Sequence, residues 1–290
     1  MLALRQALLR RVLGCALLAF VSVVAVGAAP SPALAQGKLE ARYTASLAGI
    51  PIGKGSWVVD INGAQYTAAA SGTTTGLMRA FTGGHGTTAT RGTLQAGRPV
   101  SAIYAATIVA GKRTDAIRIT IANGNVKDFN VDPPQDHLQD RVPITEAHLR
   151  DVFDPITASL AHVPGNGDPL SSAACKRMLS IFDGRLRYDL QLAFKRMDKV
   201  KSDKGYAGPV VVCAVYFSPI AGYIPSRYAI KYIAKLREIE IWLAPIAGTR
   251  VLALYRAQGP TPIGQAVLEA NEFVSVATPT RASTNGAKAQ

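Results

Sequence analysis

The sequence is poor in the residues that carry most protein chemistry. Histidine and methionine occur four times each, cysteine three times and tryptophan twice in 290 residues. None of the four histidines stands in the HxxxH or HExxH spacing that brings two imidazoles to one metal. His85 lies in the glycine-rich stretch TGGHGTT, and His137, His148 and His162 are spread around a segment broken by Pro155. No Gly-x-Ser-x-Gly elbow is present, and no Ser-x-x-Lys in a suitable setting. The glycine clusters GGHG and GNGD lack the strand–loop–helix context of a phosphate cradle. No catalytic, cofactor-binding or metal-ligating residue is therefore assigned, and no cofactor is implied. An enzyme built on Asp151, Asp154, His148 or His85 would need those side chains to meet in one pocket.

Acidic residues are also scarce, with 19 Asp and Glu against 32 Lys and Arg, a net charge of +13. Apolar runs long enough to cross a bilayer are absent after the first thirty-five residues. Those thirty-five have the layout of a secretory signal: Arg5, Arg10 and Arg11, an apolar run from Val12 to about Ala29, then Ala33-Leu34-Ala35. Cleavage is expected after Ala35, before Gln36, which gives a periplasmic address; the alternative is an uncleaved anchor helix. Cys15 precedes the apolar run instead of ending it, which argues against a lipid anchor there. Removing the leader takes away three arginines and no acids, so the remaining 255 residues carry +10. In an oxidising compartment Cys175 and Cys213 are an even pair, and a disulfide between them is the natural inference; two separate buried thiols are the alternative.

What is abundant is alternation. Tyr43, Ala45 and Leu47 alternate with polar neighbours, as do Trp57, Val59 and Ile61, and later Ile117, Ile119 and Ile121. Asn62-Gly63 and Asn123-Gly124 mark hairpins. Period two repeated between Gly, Asn and Pro signals predicts an antiparallel meander. One segment departs from it: in PITEAHLRDVFDPITASLAHVPG, Thr145 and Asp154-Pro155 read as helix starts. Two short helices or one bent helix are expected there. Val210–Phe217, apolar on both faces, is predicted to be a central buried strand. One domain over 36–276 is expected, with an Ala/Thr/Ser/Lys-rich disordered tail at 277–290.

The stretch DGRLRYDLQLAFKRMDKVKSDK, residues 183 to 204, concentrates cations. Leu186, Tyr188, Leu190, Leu192 and Phe194 fall on one face of a strand, and Arg187, Asp189, Gln191 and Lys195 on the other. Tyr188 and Phe194 are thus expected in the core, and Met197–Lys204 in a charged hairpin loop. Aromatics facing away from the cations cannot stack bases beside them, which with the export signal excludes a nucleic-acid partner. Arg185, Arg187, Lys195, Arg196 and Lys199 remain as contacts for an anionic surface, joined by Arg227 and Lys231 from YIPSRYAIKYIAKLR. A solvated sheet rim is the plain alternative. A transmembrane barrel shares the alternation, but the helical insert, the two-sided strand, the cysteine pair and the polar tail count against it.

Three phrases in order carry a resemblance. YTASLAGIPIGKGSW at 43–57, DPITASL at 154–160 and FDGRLRYDLQLAF at 182–194 resemble the bacterial envelope proteins of domain-of-unknown-function family 3108, in its alphaproteobacterial branch. The resemblance spans about 40 to 275 and implies an exported β-rich protein without an established activity. At fold level alone the pattern is also similar to the half-barrel lipoprotein carriers of the Lol pathway.

The expected fold class is mainly β: a strongly curled antiparallel meander, an open or half barrel or a sandwich, with a short helical insert near 144–163. The expected function is binding of an apolar, amphipathic or anionic envelope ligand or surface, a lipid among them, without catalysis. A structural or assembly factor acting through protein contacts is the second reading; an unrecognised hydrolase is the third. A curled sheet that encloses a cavity favours the first reading, and a solidly packed interior the second.

Overall fold

The computed structural model describes residues 36–76 and 83–278. The leader expected at 1–35 and most of the tail expected at 277–290 lie outside the described residues.

Seven strands form the first half as an antiparallel meander: β1 (Gln36–Leu47), β2 (Ile50–Asn62), β3 (Gln65–Thr74), β4 (His85–Gln95), β5 (Arg98–Ala110), β6 (Arg113–Ala122) and β7 (Asn125–Asp132). The second half contains β9 (Arg177–Phe182), β10 (Arg187–Lys201), β12 (Ala207–Ala221), β13 (Glu240–Pro245), β14 (Val251–Thr261) and β15 (Gly264–Ala277). Two short strands, β8 (Ala161–His162) and β11 (Lys204–Gly205), pair with β14 and β15. The chain returns on itself, because β15 pairs antiparallel with β1. The order β7-β6-β5-β4-β3-β2-β1-β15-β14-β13-β12-β10-β9 leaves β7 and β9 as edges. The result is the expected curled antiparallel meander, a barrel whose hydrogen-bond ladder does not close.

Side chains and one loop bridge the open seam. Phe129 of β7 meets Phe182 of β9 edge to face, with ring centres 5.1 Å apart. Between the edges, Val152 N–H donates to the Gly124 carbonyl (2.7 Å), Phe153 N–H to Ser180 (2.8 Å), and Phe182 N–H back to Phe153 (3.0 Å). The loop at Val152-Phe153 thus ties β9 to the β6–β7 turn, while β7 itself stays largely exposed.

The alternation read from β1 and β2 selects the buried face. Leu39, Ala41, Tyr43, Trp57, Val59 and Ile61 are buried, with Tyr66 and Ala68 of β3, Val210 and Val212 of β12, and Trp242 of β13 in the same cluster. Outward positions on β1 and β2 include Glu40, Arg42, Lys54 and Asp60, all exposed. Apolar inside and charged outside is the reverse of a transmembrane barrel. No helix among the described residues is long and apolar enough to cross a membrane. As expected, β12 buries both faces: Val211, Cys213 and Val215 belong to a second cluster with Ala161, Val163 and Ala174. The expected disulfide joins Cys175 to Cys213 in that second cluster.

The insert is two short turns: a 3₁₀ turn at Glu146–Leu149 and a single α-turn at Pro155–Ala158. Asp154 caps the latter, accepting from Ile156 N–H (2.9 Å) and Thr157 N–H (3.0 Å), with Pro155 at the first helical position. The helix expected to run on from Pro155 stops at Ala158, and Ala161–His162 is already a short strand.

Two expectations need correction. First, residues 197–201 are not a hairpin loop, because β10 runs on to Lys201, opposite Ala207. The register with β12 shifts between Phe194 and Arg196, a bulge at Lys195. Tyr188 is partly buried, but Phe194 is 42% exposed and not a core residue. Phe194 stands directly before the bulge, and beyond it Arg196, Asp198 and Val200 remain the less exposed positions. Second, residues 228–235 are not a sheet rim: Tyr228–Lys235 is an amphipathic helix with no buried residue. Tyr, Ile and Ala beside Lys satisfy either a half-solvated strand or a helix, and period two dominated its surroundings.

Candidate functional site

A cavity of about 700 Å³ opens at the seam end of the barrel. Tyr104 and Ala106 of β5, Ile117 of β6, Tyr188 of β10 and Ile224 and Ile230 from the β12–β13 connection give it apolar walls. Arg113, Asp115, Asp136, Arg141, Asp183, Arg185 and Arg227 supply its charges.

The turn Phe182-Asp183-Gly184-Arg185 builds one side. Phe182 is fully buried and anchors the turn against Phe129. Asp183 Oδ1 accepts from Arg185 N–H (2.8 Å) and Leu186 N–H (2.6 Å), which folds the chain back. Gly184 has φ +96°, and a Cβ there would lie 2.6 Å from Ile117 Cγ2, so only glycine fits. Arg185 then reaches across the seam to Asp115 Oδ1 (2.7 Å) and the Pro133 carbonyl (3.0 Å). Arg113 grips the same carboxylate with its Nε and Nη2, both 3.0 Å from a carboxylate oxygen. Two guanidiniums thus share Asp115.

Arg141 donates to the Gly222 (2.7 Å) and Asp136 (3.3 Å) carbonyls and is in no salt bridge among the described residues. The exposed Arg227, at the start of helix Tyr228–Lys235, forms no ion pair among the described residues. Four arginines against three aspartates leave the lining net positive. Burial raises the Asp183 carboxyl above its ordinary value despite its backbone partners. Burial also pushes Tyr104 up to about 12 and Tyr188 upward, so both phenols stay protonated at neutral pH.

Behind this cavity Asp154 is wholly buried. Its Oδ2 faces Thr90 Oγ1 (3.0 Å), Thr157 Oγ1 (2.5 Å) and Ser101 Oγ, and Tyr66 Oη lies 2.6 Å from Thr157 Oγ1. Burial raises the Asp154 pKa in spite of these hydrogen bonds. The cluster ties the α-turn to β3, β4 and β5 and is closed to solvent.

The residues named from sequence are dispersed. Arg185 lines the cavity, Arg227 stands at its mouth, and Lys231 is exposed one helical turn farther. Arg187 is buried and paired with Asp189 (2.7 Å). Lys195 and Arg196 both contact Glu240, Arg196 at 3.1 Å and also above the Trp242 ring. Lys199 is exposed on β10. The acid–base candidates do not converge: Asp154 is sealed, His85 begins β4 opposite Val109, and His148 Nδ1 accepts from Thr145 N–H. Asp151 lies beside Gly124. No group of three or more His, Cys, Asp or Glu among the described residues is placed to hold a metal. Arg113, Asp115 and Arg141 escaped the sequence reading because they carry no motif; only the seam brings them to Arg185.

A family model, Protein of unknown function (DUF3108), matches residues 42–271. The chain belongs to the DUF3108 family. The phrase FDGR is the turn built around Gly184, and DPITASL contains the Asp154 cap. Among solved structures, the beta-barrel-like protein of domain of unknown function DUF1849 from Brucella abortus is similar over 85% of this chain and 99% of its own. Identity is 9% and the TM-score 0.44. No curated protein matches the chain in sequence.

Proposed function

We propose that this DUF3108 member is an exported, non-catalytic binding protein that takes an amphipathic ligand with an anionic head into the seam cavity. The observation that carries the reading is the combination of apolar walls with a lining of excess arginine. The volume is in the range of ligand pockets, roughly 300–1,000 Å³. Tyr104, Ala106, Ile117 and Tyr188 would hold the apolar body, and Arg141 and Arg227 the head through charge-assisted hydrogen bonds. The disulfide and the signal-like first thirty-five residues support an oxidising address outside the cytoplasm. An assembly factor working only through its outer surface would have no use for such a cavity.

Native mass spectrometry of the mature chain, purified without detergent from its own host, tests the reading. A bound lipid-like mass and uptake of a fluorescent fatty-acid probe are expected. Arg141→Gln and Ala229→Glu should each weaken probe binding about tenfold, the scale of one charged hydrogen bond. Ala229 is exposed on the helix, so its variant leaves the core alone. An unliganded mass together with no probe uptake would sink the proposal.

A further inference from the structure

The strand connections at the cavity end differ from those at the other end in a way the fold does not require. The β1–β2 and β14–β15 turns are neighbours, with Ala48 N–H donating to the Gln265 carbonyl at 2.9 Å. Thr75, just after β3, lies at the same end, its N–H donating to the Ile52 carbonyl at 2.9 Å. The β5–β6 turn follows, since His85 at the start of β4 pairs with Val109. Across the cavity from Ile108 and Arg113 lie Ala229 and Ile230 of the helix. These connections therefore ring one mouth.

Large apolar side chains project from them. Ile263 is 72% exposed, Tyr228 67%, Ile50 64%, Ile108 48% and Ile233 38%. Each belongs to a different connection or strand end except the helical pair, so they form separated tips and not one continuous patch. Exposed cations stand among them: Lys112 in the β5–β6 turn, and Arg227, Lys231 and Lys235 on the helix. None of the four is in a salt bridge among the described residues. Of the nearby acids, Asp115 is shared by two arginines, whereas Asp136 and Asp140 are exposed, Asp140 accepting from the Ser226 hydroxyl. At the opposite end the hairpin turns Gly63-Ala64, Ala96-Gly97 and Asn123-Gly124 hold no large apolar residue, and the exposed Met178 and Val276 there lie within strands β9 and β15.

We infer that this end of the barrel docks on an anionic lipid bilayer. Dispersed tips enter between headgroups, where each buries its own apolar surface, while the interleaved cations meet lipid phosphates. The stacked pair Tyr228 and Tyr232, with ring centres 5.8 Å apart, suits the interface, where aromatic rings with a polar group reside. Outward charges such as Arg42 and Lys54 limit immersion to the tips. A protein partner would favour a contiguous apolar face, which these separated tips do not make. Docking would set the cavity mouth against the membrane, so an amphipathic ligand could pass between them without crossing water. The inference deepens the proposed function and shares Ile108 and Arg227 with the cavity, but Ile50, Ile263, Lys231 and Lys235 do not line it, so they test the docking surface separately.

Flotation of the mature chain with phosphatidylcholine vesicles, with and without phosphatidylglycerol, provides the test. Binding is expected to the anionic vesicles, to fall as salt rises, and to weaken about tenfold in Ile50→Ser/Ile263→Ser and in Lys231→Glu/Lys235→Glu. The first double variant should keep full uptake of the fatty-acid probe. Failure of wild-type flotation, or equal flotation by the variants, would overturn the docking surface, and intact probe uptake would leave the cavity reading standing. A wild-type dimer in size-exclusion chromatography that the Ile50→Ser/Ile263→Ser variant abolishes, without vesicle binding, would assign this face to a second copy and equally overturn it.

Discussion

At the scale of single residues, Asp154 shows how a local signal acquires a tertiary role. The pair Asp154-Pro155 announces a helix start, and two backbone N–H groups confirm the cap. Thr90 and Ser101 are 64 and 53 residues away from it, and no spacing rule joins them. Removing the carboxylate leaves the Ser101 and Thr157 hydroxyls and two N–H groups without it as an acceptor, while Thr90 keeps the Ile103 carbonyl. Asp154→Ala is therefore expected to cost about 3 kcal/mol in urea unfolding, a lost cap plus unsatisfied buried donors. Asp154→Asn keeps an acceptor for the cap and should lose only about 1 kcal/mol. The raised pKa sets the pH dependence: wild type relative to Asn should be most stable below about pH 4, the unfolded carboxyl value. Its advantage should shrink as pH rises through the higher folded value and then level off. A pH-independent difference between the two proteins would refute the buried, destabilised carboxylate.

At the scale of elements, β10 and β12 separate what periodicity can and cannot say. The two-faced apolar run of β12 was legible because a strand covered on both sides needs no polar face. The second half of β10 was not, since its charged composition reads as a loop although the strand continues paired with β12 to Lys201. The cysteine pair behaves like β12: compartment and parity suggested a bond, and burial of both residues in one cluster accommodates it. The bond spans 38 residues and fastens the insert's exit to the central strand. Cys175→Ala/Cys213→Ala should lower stability by about 4 kcal/mol on the loop-closure estimate. Equilibrium urea unfolding reads this directly, and an unchanged midpoint would mean that packing alone holds residues 161–175 on β12.

At the scale of the whole molecule, stability should be uneven around the sheet. Strands β1 and β15 are paired on both sides at the centre of the strand order, whereas β7 relies on β6 and on contacts across the seam. Hydrogen exchange followed by mass spectrometry should show β7 opening before β1 and β12. Phe182→Ala should accelerate that opening further and cost about 3–5 kcal/mol, because a fully buried ring is lost from the joint. Uniform protection from β7 to β9 would instead indicate that the barrel behaves as if closed. The same seam houses the cavity, so a less protected edge beside it would provide the give that ligand entry needs.

Strand content, the hairpins, the two-sided strand, the Asp154 cap and the cysteine pair were determined by sequence alone. Each depends on neighbours within a few residues, or on the count of one residue type. The seam, the shared Asp115 with Arg113 and Arg185, and the ring of apolar tips were decided only by tertiary structure. These join residues from β5, β6, the turn before β10 and the β12–β13 connection, whose meeting depends on the direction in which a twisted sheet curls. Charge count foretold cations without telling which were spent on partners: Arg187, Lys195 and Arg196 are held by carboxylates, whereas Arg227 and Lys231 remain exposed at the mouth. Where a charge ends up depends on which carboxylate the folded chain brings within hydrogen-bonding reach.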